Sequence, residues 1–269
     1  MLVDHHCHLD FPQLAADRDG LLARAKAAGV GTMVTISTRI RQLPSLLEIC
    51  EAHDNVYCSV GTHPDNAGEE GERGITADEI ARLSEHPKVV AIGEAGLDYF
   101  HKKASPQAQE EGFRAHIEAA RRTGLPLEIH TRDADQDTLA IIEDEHAKGA
   151  FPAILHCYTG GPELARRAAE LGLFVSFTGV VTFKKNDALR EIARAVPLDQ
   201  MLVETDAPFL APEPYRGKTN EPAFVAHTAA ALAKVKGITP EAFAEATTDN
   251  FFRLFRKAKR PASGPTSAA

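Results

Sequence analysis

The chain has 269 residues, 43% of them hydrophobic and 25% charged, with a formal net charge of −8 at pH 7. That length suits one large barrel or two small domains. The acidic balance argues against a broad nucleic-acid-coating surface, which is usually strongly basic. It leaves room for a site that takes a phosphate end locally, because bound cations reverse the local field.

Strand-like apolar runs are expected at residues 1–5, 32–37, 56–60, 89–93, 126–130, 152–155, 173–177 and 201–204. Helical stretches are expected between them, near 15–28, 41–53, 76–85, 106–123, 134–148, 161–171 and 186–195, and then at 221–236 and 239–256. Gly29, Gly124 and Gly172 fall just after helical stretches, where glycine is favoured, and Pro106 opens one. Strands alternating with helices predict a parallel sheet of the α/β class, and eight of them predict a closed (β/α)8 TIM barrel. The barrel is expected to be one domain over residues 1–256, with 257–269 a disordered tail that lacks apolar periodicity.

In such barrels, catalytic groups come from the C-terminal ends of the strands. His6 and His8 are two apart on the first strand, so both imidazoles share a face, with Asp4 placed to receive a ring N–H. Glu94 follows Val89-Val90-Ala91-Ile92-Gly93. A carboxylate there is costly unless paired or metal-bound, and its two oxygens can bridge two cations. His130 and His156 close successive strands, and a shared metal accounts for both. Arg132 is a phosphate or carboxylate clamp, or else an ion-pair partner of Asp133 or Asp135. Asp206 follows the eighth strand as a metal ligand that also hydrogen-bonds an attacking water, with Glu204 supporting it from below. A structural metal site is a poor alternative, because such sites are usually closed and cysteine-rich.

These segments resemble the TatD-related family of metal-dependent deoxyribonucleases, within the wider amidohydrolase-like barrels. The resemblance is carried by Val3-Asp4-His5-His6-Cys7-His8-Leu9-Asp10, Gly61-Thr62-His63-Pro64, Ile92-Gly93-Glu94-Ala95-Gly96-Leu97-Asp98-Tyr99 and Ile129-His130-Thr131-Arg132-Asp133-Ala134. It continues through Leu155-His156-Cys157-Tyr158-Thr159-Gly160, Glu204-Thr205-Asp206-Ala207-Pro208-Phe209-Leu210, Pro214-Tyr215-Arg216-Gly217-Lys218 and Asn220-Glu221-Pro222. It implies a metal-dependent hydrolase with one or two ions. His6, His8, Glu94 and Asp206 would hold the first, and Glu94, His130 and His156 the second. The implied reaction is phosphodiester hydrolysis in DNA, as a 3′–5′ exonuclease on single strands, with Asp206, Glu94 and His63 catalytic. His63, Arg132, Arg216 and Lys218 would bind phosphate; Tyr99, Phe100, Tyr158 and Tyr215 on mouth loops are candidates to stack a terminal base, with core packing the favoured reading for any one of them. His5 stands where serine is common in the family and is expected to point away from the metals and matter little; Ala95 is expected to affect packing only.

The ions allowed by these ligands are Zn²⁺, Mn²⁺, Co²⁺ or Mg²⁺, with the histidines leaning away from Mg²⁺. The expected substrate partner is DNA, with RNA or tRNA open, and no obligate protein partner is indicated. The runner-up is a carbonyl hydrolase on the same site, such as a D-aminoacyl-tRNA deacylase or an amidohydrolase. Two-metal amidohydrolases often bridge their ions with a carbamylated lysine on strand four, where this chain offers Glu94. No apolar run approaches the ~20 residues that span a bilayer. No signal-peptide pattern opens the chain, and Cys7, Cys50, Cys58 and Cys157 show no disulfide spacing. A cytoplasmic location is therefore expected.

Overall fold

The structure, a computed structural model, describes residues 1–261. Its strands are β1 Leu2–Cys7, β2 Val30–Thr35, β3 Val56–Val60, β4 Val89–Asp98, β5 Leu127–Arg132, β6 Ala153–Leu155, β7 Phe174–Phe177 and β8 Met201–Val203. They lie in chain order in one eight-stranded sheet. Each neighbouring pair is parallel. Cys7 bridges Ala207 in parallel, and Asp206 N–H donates to His6 O at 2.9 Å, so the first strand meets the chain leaving the last. The barrel is therefore closed, as expected.

Helices cross over from strand to strand, which parallel pairing requires. They include Arg18–Ala27, Leu43–Ala52, Pro106–Thr123, Asp135–Lys148, Pro162–Glu170 and Asp187–Ala195. The helix Pro106–Thr123 shows why the ends fall where they do. Ser105 Oγ accepts from Ala108 N–H, and proline opens the first turn. The helix stops at Gly124, whose φ of 69° suits a residue without Cβ, and Gly124 N–H donates to Ala120 O. The ten residues of β4 are all buried, as a parallel strand covered on both faces should be.

One apolar core lies between the sheet and the surrounding helices. A second gathers Val3, Val90, Ile154, Phe174 and Leu202, early in their strands, with Phe251, Leu254 and Phe255 from the end of the last helix, Pro240–Leu254. Apolar packing thus fills one end of the barrel and leaves the strand C-termini to polar groups. Ala258 completes the second core, Lys257 Nζ donates to Ser84 O and His86 O, and Lys259 N–H donates to Tyr57 Oη. Residues 257–259, expected to be disordered, are therefore held against the barrel. Arg260 also pairs with Asp249, and residues 262–269 of the expected tail lie outside the described residues. No helix among the described residues is long and apolar enough to cross a membrane.

Two register shifts matter for the site. Asp4 pairs with Met33 and Cys7 with Thr35, so β1 carries one extra residue against β2. Gly93 pairs with Glu128 and Ala95 with Ile129, so β4 carries one extra residue against β5. Such bulges re-aim side chains. β4 therefore runs on to Asp98 instead of ending before Glu94, and Glu94 leaves the sheet at the bulge. Gly93 has a φ of 105°, and a Cβ on Gly61 would lie 2.4 Å from Gly93 Cα, so glycine is needed on both sides of this approach.

Candidate active site

Strand ends bring the expected metal-binding side chains into one cluster. His8 Nε2 lies 3.4 Å from Asp206 Oδ1, and His6 Nε2 lies 3.7 Å from the same oxygen and 3.5 Å from Glu94 Oε2. On the other side, Glu94 Oε1 is 2.7 Å from both His130 Nδ1 and His156 Nε2. The two nitrogens are 3.3 Å apart. Glu94 thus stands between the two groups, one oxygen toward each. His6 Nε2 is buried yet makes no hydrogen bond. A buried, unpartnered ring nitrogen facing two carboxylates fits a ligand to a cation. So does the donor set, imidazole and carboxylate, which suits Zn²⁺, Mn²⁺ or Co²⁺. Asp206 sits at a φ of 56°, a conformation uncommon outside glycine, that turns its carboxylate at the mouth.

Behind the cluster lies a layer of carboxylates. Glu128 Oε2 accepts from His6 Nδ1 at 3.4 Å, and Glu204 Oε1 accepts from His156 Nδ1 at 3.3 Å. Asp98 accepts from His130 Nε2 at 3.2 Å and from His101 Nδ1 at 2.7 Å. Such partners fix the tautomer and aim of ligating imidazoles. Sequence reasoning placed Glu204 here but missed Glu128 and Asp98. The signal for Glu128 was present: a lone carboxylate inside the apolar run Leu125-Pro126-Leu127-Glu128-Ile129 needs a buried partner.

One expectation about β1 is corrected and one refined. Asp4 does not accept from a histidine ring; it accepts from Thr205 N–H and Thr205 Oγ1 at 2.8 and 2.6 Å, pinning β1 to the chain after β8. His5, expected to point away from the metals, lies behind their cluster but inside the barrel. The bulge turns it inward, where Nδ1 is 3.0 Å from Glu128 Oε1 and Nε2 is 2.9 Å from Glu204 Oε2.

Charge holds the site in an ionised form. Burial alone would push the Glu94 carboxyl up, but the charge of His156 and hydrogen bonds from His130 and His156 hold it well below the usual carboxylate range. Burial would likewise push His156 down, and Glu94 and Glu204 raise it well above an ordinary imidazole. His63 is the exception: burial dominates and lowers it to about 4. Its Nδ1 accepts from Asp65 N–H at 3.0 Å, so the neutral ring carries its proton on Nε2, 3.6 Å from Glu94 Oε1.

The mouth opens into a groove of about 880 Å³ lined by Tyr99, Arg132, Asp133, Asp135, Phe183 and Leu210, among others. The Arg132 guanidinium lies over the Phe100 ring at 4.4 Å, and that of Arg216 over Phe183 at 4.3 Å. Lys218 is exposed on the same loop, 5.7 Å from the Tyr215 ring. Two of the four expected stacking aromatics are unsuited to that role. Tyr158 is 1% exposed with its hydroxyl bonded to Gly161 O, and Tyr215 is stacked on Phe224 at 4.1 Å. Phe100 is 55% exposed. Phe209, which belongs to the family-like segment after Asp206 but was given no role from sequence, is 46% exposed beside His8 and Phe11.

A family model described as TatD related DNase matches residues 3–256. The chain is 42% identical over 257 residues to "Uncharacterized metal-dependent hydrolase YcfH" of Escherichia coli strain K12, covering 94% of this chain and 95% of that protein. It is 34% identical over 260 residues to "3'-5' ssDNA/RNA exonuclease TatD" of Citrobacter rodentium, covering 94% and 97%. Among solved structures, YJJV, a TatD homolog from Escherichia coli k12, superposes with a TM-score of 0.87 at 26% identity, covering 95% of this chain and 98% of that one.

Proposed function

The chain belongs to the TatD-related DNase family, and on that premise we propose that it is a metal-dependent hydrolase of phosphodiester bonds in DNA, working as a 3′–5′ exonuclease on single strands. The observation that carries this reading is Glu94, one oxygen toward His6 and the other toward His130 and His156. His6, His8, Glu94 and Asp206 would hold one divalent ion, and Glu94, His130 and His156 a second. When bound, the ions supply positive charge that polarises a phosphoryl oxygen and acidifies water.

The chain's own groups supply the rest. Asp206, with its side chain 15% exposed at the mouth, is the acceptor for the proton of the attacking water. His63 presents a neutral Nε2–H to a non-bridging phosphate oxygen. Arg132, Arg216 and Lys218 bind the substrate's phosphates along the groove, and the exposed rings of Phe100 and Phe209 stack terminal bases. Zn²⁺, Mn²⁺ or Co²⁺ suits the ligands better than Mg²⁺. RNA shares the backbone chemistry that this groove would read. Cys7, Cys50, Cys58 and Cys157 are free thiols, which suits the reducing cytoplasm.

The test is digestion of single-stranded DNA labelled at its 5′ end by protein stripped with chelator and reloaded with Mn²⁺, Zn²⁺ or Mg²⁺. A ladder shortening from the 3′ end, abolished by chelator, is expected. Intact DNA beside metal-dependent cleavage of a carboxylic or aminoacyl ester would assign the site to carbonyl chemistry.

A further inference from the structure

His5 is 1% exposed, and both of its ring nitrogens face acceptors contributed from across the barrel. Nδ1 is 3.0 Å from Glu128 Oε1. Nε2 is 2.6 Å from Ser176 Oγ and 2.9 Å from Glu204 Oε2. The hydrogen-bond geometry favours the serine, so Glu204 Oε2 has no hydrogen bond of its own and rests against the ring's edge. Glu128 and Glu204 are both 0% exposed. Carboxylates at that depth need polar partners, and the His5 ring stands between these two. Each uses its other oxygen on a different imidazole, Glu128 Oε2 on His6 Nδ1 and Glu204 Oε1 on His156 Nδ1. Glu204 Oε1 also accepts from Cys157 N–H at 2.8 Å, which fixes its height in the barrel. The His6 and His156 rings lie parallel, 3.9 Å apart with 2° between their planes.

We propose that His5 is a positioning residue, the shared ring that holds the Glu128 and Glu204 carboxylates in place and so aims Nε2 of both His6 and His156 at the metal site. The inference rests on the reading of His6 and His156 as metal ligands. Without His5 the two carboxylates would lose the ring that spaces them. That loss loosens the Nδ1–H acceptors that set both ligand tautomers. The bulge in β1 is what makes this possible, since regular alternation would put His5 and His6 on opposite faces.

The test uses the full chain as wild type, His5→Ser, His5→Ser/Glu128→Val and His6→Ala. The double variant removes Glu128, one of the two carboxylates that His5→Ser would leave without its ring partner, and gives a second sample if the single variant is unstable. Zn²⁺ affinity is read by competition with a chromophoric chelator, ligand geometry by the absorption bands of bound Co²⁺, and folding by thermal melting. The expected result is a loss of ~10–100-fold in Zn²⁺ affinity and altered Co²⁺ bands in both His5 variants, the range for removing an outer partner of a metal ligand. Folded His5 variants with wild-type affinity and bands, alongside a His6→Ala that has lost metal, would overturn the positioning role alone. A His6→Ala with unchanged affinity would overturn the ligand reading and this inference with it.

Discussion

Glu94 Oε1 and His156 Nε2 stand 2.7 Å apart, joined by no neighbouring element of the sequence, one at a bulge in β4 and the other just past β6. They meet because eight parallel strands point their C-terminal ends at one place. Their meeting makes Glu94 the centre of the site, and the first prediction concerns it. Glu94→Ala should lose bound metal and reduce turnover by more than the ~10–100-fold typical of an outer partner. Circular dichroism should show an intact barrel, since the apolar cores do not include this side chain. Near wild-type turnover would remove Glu94 from the bridging position.

Asp206 should separate kcat from KM. If it accepts the water's proton, Asp206→Asn should lower kcat by ~10²–10⁴-fold while KM for a DNA oligonucleotide changes little. Steady-state kinetics at saturating metal measures both. An effect confined to KM would make Asp206 a substrate-binding group instead.

The cations proposed to bind phosphate should reveal themselves through salt. Neutralising Arg216 and Lys218 together should weaken single-strand binding and flatten the dependence of log K on log salt by about 0.7 for each phosphate left without its cation. Fluorescence anisotropy across a salt series, with metal present and Asp206→Asn as the inactive background, reads the slope. An unchanged slope places both residues outside the bound strand.

A pH dependence of stability is expected from His116, which lies away from the metal cluster. It is 0% exposed, its Nε2 accepts from Thr62 N–H at 3.0 Å, and its Nδ1 is 2.7 Å from Gly112 O. Burial lowers it from 6.5 to about 4. Between those values the unfolded chain binds more protons than the folded one. The neutral ring's contribution is therefore complete above about pH 6.5 and is lost as pH falls toward 4, at ~1.4 kcal/mol per pH unit. His116→Gln keeps an acceptor for Thr62 N–H and cannot titrate. Urea unfolding of both proteins between pH 4 and 7 should show a steeper acid loss in the wild type. Parallel curves would count against a buried neutral His116.

Much of this architecture was legible in the residues. Apolar runs alternating with helical stretches announced the barrel, and His6, His8, Glu94, His130, His156 and Asp206 each follow or end such a run. What was not legible came from the bulges and from packing. Period-two reasoning sends His5 away from His6; the extra residue in β1 brings it into the barrel instead. Asp4 was matched to a histidine because of its place in sequence, whereas the closure of β1 against the chain after β8 gives it Thr205. The aromatics show the same limit. Tyr158 and Phe209 both lie in loops after strands, and only the folded chain distinguishes the buried ring from the exposed one.

The most direct measurement is a titration of chelator-stripped protein with Mn²⁺, following in the same samples the ions bound per chain and the shortening of 5′-labelled single-stranded DNA. A Glu94-bridged pair of sites predicts that turnover rises with the second bound ion and that Glu94→Ala neither fills that site nor shortens the strand. DNA left intact at every metal load, or full turnover in Glu94→Ala, would contradict it.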